Sequence, residues 1–306
     1  MTVSPNHVVV PCNICGSASY KVIYEAQAGP AHTDSRTFRS SGDAPLTDRL
    51  VECRECGLQY VSPRLDAALI LEEYSQGDDE AFVSQVAGRE LTFARCLDVV
   101  EKQTGRARGR LFDVGTAGGS FLHVAAQRGW EVEGCEPNQW LCDWAAKHYG
   151  LTVQPGILDT GRYPAQSFDV VSLWDVLEHT PDPKDVIRQC HDLLKPGGLI
   201  VVNYPDIGSW AARIMGRSWV FLLSVHIYYF NRTTIRRLLS DSGFDVVKIR
   251  PHVQWLQLGY ILKRASAYVG WPASMAGRVV TWLRLATMQV PYWVGQTLVI
   301  AKKRVS

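Results

Sequence analysis

The chain has 306 residues, is 46% hydrophobic and 20% charged, and carries a formal net charge of +2. This is an ordinary globular composition with room for one large domain and a small one, and its near-neutral balance argues against a surface built mainly to grip nucleic acid. No run of about 18 uncharged apolar residues appears and MTVSPNHVVVPC lacks the pattern of a signal peptide, so the cytoplasm is the expected location, with association at a membrane surface left open.

Two CxxC pairs come first, CNICG with Cys12 and Cys15, and CRECG with Cys53 and Cys56. Two residues between cysteines let both sulfurs face one tight turn, and Gly16 and Gly57 supply the left-handed position that such a turn needs. Two such turns make a closed tetrahedral four-thiolate site, hence structural zinc. The segment between them is too polar for a core, so the metal would supply much of the folding energy. A redox pair or a disulfide framework are the alternatives, and the matched doublet favours zinc. The remaining four cysteines are isolated and read as small core residues.

A short strand follows in GLQYV, then a turn at Pro63, a helix over 67–74 and an acidic loop over 75–82. The module is expected to end near residue 78, leaving 79–306 as the second domain. A helix over 90–103 and a basic linker at 105–110 lead into it.

From Arg110 strands and helices alternate. A strand over 111–114 runs into a turn with Gly115, Gly118 and Gly119, and a helix begins at Ser120. Glycines there let the backbone approach a nucleotide-like ligand. The next strand, 130–136, ends on Glu136, where a carboxylate can accept two hydrogen bonds from a ribose diol. Asn138 suits a helix N-cap and Gly150 a C-cap. FDVVSLW at 168–174 is a buried strand that gives way to DVLEH at 175–179. A helix over 184–194, a sharp KPGG turn at 195–198 and the strand LIVVNYP follow. The alternation predicts an α/β fold, a doubly wound, mostly parallel seven-stranded sheet, with its ligand beyond the carboxyl ends of the strands.

DVGTAGG at 113–119, Glu136, FDVVSLWDVLEHTPDP at 168–183 and LLKPGGLIVV at 193–202 together resemble the class I S-adenosylmethionine-dependent methyltransferases. The likeness covers about residues 105–250, and the cysteine turns resemble a zinc-ribbon-like module on some bacterial members. It implies S-adenosylmethionine as cofactor. It places Asp113, Gly115 and Gly119 at the methionine end, Glu136 on the ribose, Leu158 and Asp159 near adenine, and Trp174 and Asp175 by the sulfonium. Ala117 stands where the family usually has glycine, and a small residue there still admits the ligand.

An oxygen acceptor benefits from a general base, for which His179 and His226 are the candidates. His226 lies in SVHIYYFN, which also resembles an element of sugar C-methyltransferases with a zinc module. Those enzymes carry a Tyr-His pair where this chain has Leu223 and Ser224, so their carbon methylation is not expected.

Between the strand over 244–250 and a last strand over 295–303 lies a tryptophan-rich insertion, about 252–292, in which Trp255, Leu258, Leu262 and Ala265 are expected to share a helical face. Three readings stand: helices packed together or forming a homodimer interface, contact with a membrane surface through 253–290, or a lid over an apolar acceptor. The expected enzyme transfers methyl to a hydroxyl of a small-molecule, sugar or lipid-linked acceptor. Its rivals are an RNA-modifying enzyme gripping through the zinc module and a non-catalytic cofactor-binding scaffold. Between residues 12 and 60 five Lys and Arg stand against six Asp and Glu, which disfavours the RNA reading.

Overall fold

The computed structural model describes residues 7–27, 44–75 and 80–305. Seven strands form one sheet: β1 (Arg110–Val114), β2 (Glu131–Glu136), β3 (Gln154–Pro155), β4 (Phe168–Trp174), β5 (Leu194–Pro205), β6 (Phe244–Pro251) and β7 (Gln296–Lys303). Their order is β6-β7-β5-β4-β1-β2-β3, and β7 alone runs antiparallel to its neighbours. Chain order reverses between β1 and β4, which opens the crevice where such sheets bind ligands.

The central strands are apolar throughout because both faces are covered. Val171, Leu173, Ile200, Val202, Val299 and Ala301 enter one core, and Val170, Trp174, Leu199, Val201, Leu298 and Ile300 the other. The second core is closed by three helices, α1 (Val86–Gln103), α2 (Ser120–Gln127) and α3 (Gln139–Tyr149). Asn138 caps α3 by accepting from the Leu141 amide, and Gly150 ends it in the left-handed conformation. The first core is closed by α4 (Pro183–Leu193) and α5 (Arg232–Asp241), and also by Cys12, Ile14, Val51, Leu58 and Tyr60 of the N-terminal module.

That module therefore shares a core with the sheet. Its own sheet contains Tyr20–Tyr24, Leu50–Cys53 and Gln59–Val61, and takes its fourth strand, Tyr228–Tyr229, from beyond β5. Tyr228 pairs with Tyr60 and Tyr229 with Gln59.

Several local expectations change. KPGG is not a free turn: residues 194–198 already belong to β5, with a register shift against β4 between Leu194 and Leu199. The acidic loop lies partly outside the described residues, at 76–79, and Glu80–Val83 form a short helix. Much of the polar segment between the CxxC pairs, 28–43, also lies outside them. The insertion consists of α6 (Leu258–Val269) and α7 (Trp271–Trp282), framed by an antiparallel pair, Gln254–Gln257 with Gln289–Tyr292. Trp255 is thus on a strand rather than on a helical face with Leu258, and its amide donates to Thr92 Oγ1 of α1 at 2.7 Å.

Candidate functional site

A cavity of about 350 Å³ opens at the carboxyl ends of β1, β4 and β5. Of the residues singled out in sequence, Asp113, Gly115, Ala117, Trp174, Asp175, His179 and His226 all line it. Gly119, Glu136, Leu158 and Asp159 do not.

The turn after β1 explains part of this division. Gly115 has φ +65°, and a Cβ there would stand 2.8 Å from Val176 Cγ2, so only glycine fits. Ala117 is held at φ +48°, a left-handed conformation that costs a side-chain-bearing residue about 1–2 kcal/mol. Its amide donates to Glu136 Oε2 at 2.8 Å, and the Asn138 amide donates to Glu136 Oε1 at 2.9 Å. The fully buried Glu136 carboxylate thus ties the tip of β2 to the turn. Gly119 heads α2, and its missing Cβ would stand 3.2 Å from Ala145 and Leu151, a packing constraint. Leu158 belongs to the core beside the module. The Asp159 side chain is exposed, accepting from the Gly161 amide and pairing with Arg162.

Asp113 is fully enclosed and accepts from Ser172 Oγ at 2.5 Å. Burial raises its pKa to about 7. Asp175, just past β4, sits at φ +53°. Its amide donates to Asn203 Oδ1 at 2.9 Å, while Asn203 Nδ2 and Gln296 Nε2 donate to its Oδ1 at 2.7 and 3.1 Å. Side chains of β5 and β7 thereby fix one carboxylate in the cavity lining, just past β4. Burial pushes the Asp175 pKa up, and the Arg89 charge opposes this. Asn203, Gln296 and Arg89 were not anticipated; an asparagine inside the apolar run LIVVNYP was the available signal.

In the same cavity lining, Glu178, His179 and His226 bring one carboxylate oxygen and one nitrogen of each ring within 4.8 Å of one another. The histidine rings meet edge to face at 4.7 Å. His179 Nδ1 lies 2.9 Å from the Val225 carbonyl and His226 Nδ1 lies 2.8 Å from the Phe221 carbonyl. A carbonyl only accepts, so each Nδ1 carries the proton and each Nε2 offers a lone pair. Burial lowers the His179 pKa to about 4, and burial together with His179 drives that of His226 well below its ordinary value. Both are therefore neutral imidazoles near pH 7. Burial, and then Asp175, raises the Glu178 pKa well above the usual range. Both Glu178 carboxyl oxygens and the Trp174 indole N–H are buried without a hydrogen-bond partner among the described residues. Such groups cost about 1–3 kcal/mol each when left unpaired, so a wall that contains them suits a ligand that completes them.

The backbone joins this cluster to the module. The Glu178 carbonyl accepts from the Ile227 and Tyr228 amides at 2.8 and 3.2 Å, and Tyr228 pairs with Tyr60. On the module, Cys12, Cys15, Cys53 and Cys56 place all four sulfurs within 4.8 Å, with Sγ–Sγ separations of 3.4 Å (Cys12–Cys56) and 3.5 Å (Cys15–Cys53). These approach the edge of about 3.8 Å that a tetrahedron of Zn–S bonds of about 2.3 Å requires. Gly16 and Gly57 both have φ +75°. The other four cysteines are buried in the sheet and helices. The helix α6 contributes Tyr260, Ile261, Arg264 and Ala265 to the cavity lining. Among the described residues no helix is long and apolar enough to cross a membrane.

Comparison with known proteins is consistent with this architecture. Residues 88–249 match the family described as "Methyltransferase domain". The chain is 34% identical over 167 residues to the ubiquinone biosynthesis O-methyltransferase of Azoarcus sp. (strain BH72), covering 50% of this chain and 71% of that protein. It is 29% identical over 171 residues to the protein of the same name from Coxiella burnetii (strain RSA 331 / Henzerling II), covering 51% and 73%. A SAM-dependent methyltransferase from Archaeoglobus fulgidus superposes with a TM-score of 0.50 at 20% identity, over 74% of this chain and 100% of that one, a likeness of fold.

Proposed function

We infer the reaction from the premise that the chain belongs to the methyltransferase domain family: it is an S-adenosylmethionine-dependent methyltransferase, and we propose that it methylates a hydroxyl of a small, largely apolar molecule. The relatives named above are O-methyltransferases of ubiquinone biosynthesis, which favours an oxygen acceptor. The observation that carries the reading is that one cavity is lined both by the strand-end residues Asp113, Gly115 and Ala117 and by Glu178, His179 and His226.

The donor's sulfonium supplies an already activated methyl group, so the protein's work is alignment. Asp113, Gly115 and Ala117 are assigned to its methionine end, with Gly119 shaping the turn behind them. Glu136 is assigned to the ribose, and Leu158 and Asp159 to the adenine side. Trp174 and Asp175 are assigned to the sulfonium side, where the Asn203 and Gln296 bonds keep Asp175 from swinging into the path of transfer. His179 or His226 takes the acceptor's proton at Nε2, and burial, which favours the neutral form of Glu178, suits that carboxyl to donate a hydrogen bond to the acceptor. The rings and alkyl groups of Phe221, Leu223, Trp255, Leu256 and Ile261 in the lining favour an aromatic or alkyl acceptor over a bare glycan.

We further propose that Cys12, Cys15, Cys53 and Cys56 hold a structural zinc ion. The module of residues 1–78 then acts as the outer support of the 225–229 segment, and residues 79–306 carry the chemistry. The test is a panel of phenols, catechols and sugar alcohols incubated with S-adenosylmethionine. Release of S-adenosylhomocysteine with an O-methylated phenolic product supports the reading. Turnover confined to amines, or to sugars, removes it.

A further inference from the structure

The helix α7 is built inside out. Its small residues face inward: Ala273 is buried, and a Cβ added at Gly277 would stand 3.9 Å from Leu262 Cβ on α6. Its large apolar side chains point to solvent: Trp271 is 77% exposed, Met275 48%, Val279 50% and Trp282 81%. Their spacing of four, four and three residues puts them on one stripe of the helix. A stripe of this kind normally faces a core, and in a soluble protein such a patch marks an interaction surface.

Charge identifies the partner. From Val246 to Ser306 the chain has no Asp or Glu. Lys263, Arg278 and Arg284 are exposed on and beside the helix pair. Tryptophan at both ends of an apolar stripe, with arginine beside it, suits an interface between hydrocarbon and anionic headgroups, where the ring is buried and the cation stays at the surface. A second copy of the chain fits less well. Two-fold packing of this face would set the cations of one copy against those of the other with no carboxylate from the segment between them. A helix of 12 residues, about 18 Å long and about 10 Å across, also offers only roughly 200 Å², against the roughly 800 Å² per partner of a stable interface. We propose that the outward face of α7, with Lys263, Arg278 and Arg284, docks on an anionic lipid surface.

Flotation of the full chain with vesicles tests this. Wild type is expected to float with phosphatidylcholine vesicles that contain phosphatidylglycerol, less at high salt, and to stay behind with phosphatidylcholine alone. Trp271→Ala with Trp282→Ala should release it. Each of Arg278→Glu and Arg284→Glu should lower partitioning on the order of fivefold or more. These side chains are exposed, so circular dichroism should show unchanged folding. Failure of wild type to bind anionic vesicles at low salt overturns the proposal. So does equal binding of folded variants, or a dimer in light scattering that the tryptophan changes dissolve.

Discussion

His179 and His226 meet edge to face, ring centroids 4.7 Å apart, and each donates a hydrogen bond from Nδ1–H to a backbone carbonyl. Each Nε2 therefore keeps its lone pair, and both rings lie with the Glu178 carboxyl in the lining of one cavity.

Removing the base that takes the proton should lower kcat about 10²–10⁴-fold while leaving donor affinity unchanged. His179→Ala and His226→Ala, assayed separately with donor affinity measured by calorimetry, identify which ring does so. Equal, small losses from both would mean that the pair only shapes the wall.

Donor binding should depend on pH through Asp113. Burial holds its pKa near 7 in the free protein, so the carboxyl is protonated below that value. The donor's ammonium favours the carboxylate and draws the pKa down. Affinity should then rise with pH between about 5 and 7, with proton release on binding, and level off above. Calorimetry in buffers of different ionisation heat checks the release, and Asp113→Asn should abolish it.

The left-handed Ala117 makes the turn sensitive in both directions. Ala117→Gly should stabilise the protein by about 0.5–1 kcal/mol, the relief of strain exceeding the added freedom of the unfolded chain. Glu136→Ala orphans the Ala117 and Asn138 amides and should cost about 2–3 kcal/mol in denaturant unfolding, with weaker donor binding. An unchanged unfolding midpoint for Glu136→Ala would contradict the hydrogen bonds described.

One zinc per chain is expected by atomic absorption. Cys53→Ser should remove it and lower the melting temperature, since it takes away one of four ligands and a structural site supplies folding energy directly. Activity should fall with it because Gln59 and Tyr60 pair with Tyr229 and Tyr228.

The central sheet was legible because its strands are covered on both faces, so 168–174 and 199–205 read as continuous apolar runs bounded by turns. The glycine turn, Glu136 and the cap at Asn138 were legible for the same local reason. The pairing of Tyr228–Tyr229 with Gln59–Tyr60 was not, since two short aromatic stretches about 170 residues apart carry no signal of register. Trp255 was read as helical because its spacing to Leu258 and Leu262 fits a helix, whereas its partner strand at 289–292 decides the outcome. The sequence marked His179 and His226 one by one, but only the backbone bonds from Ile227 and Tyr228 to Glu178 bring them together edge to face. The carboxylate that Asn203 and Gln296 hold is likewise a product of strand neighbours distant in the chain.

The strand Tyr228–Tyr229 completes the sheet of the cysteine module while its neighbours form the cavity wall. The module is therefore no detachable cassette. A chimera that imports residues 1–78 from a relative without the segment around 225–229, or the reverse, would join half-sheets that were never selected together. Exchange of acceptor preference by recombination should succeed only when both segments travel as one unit of inheritance.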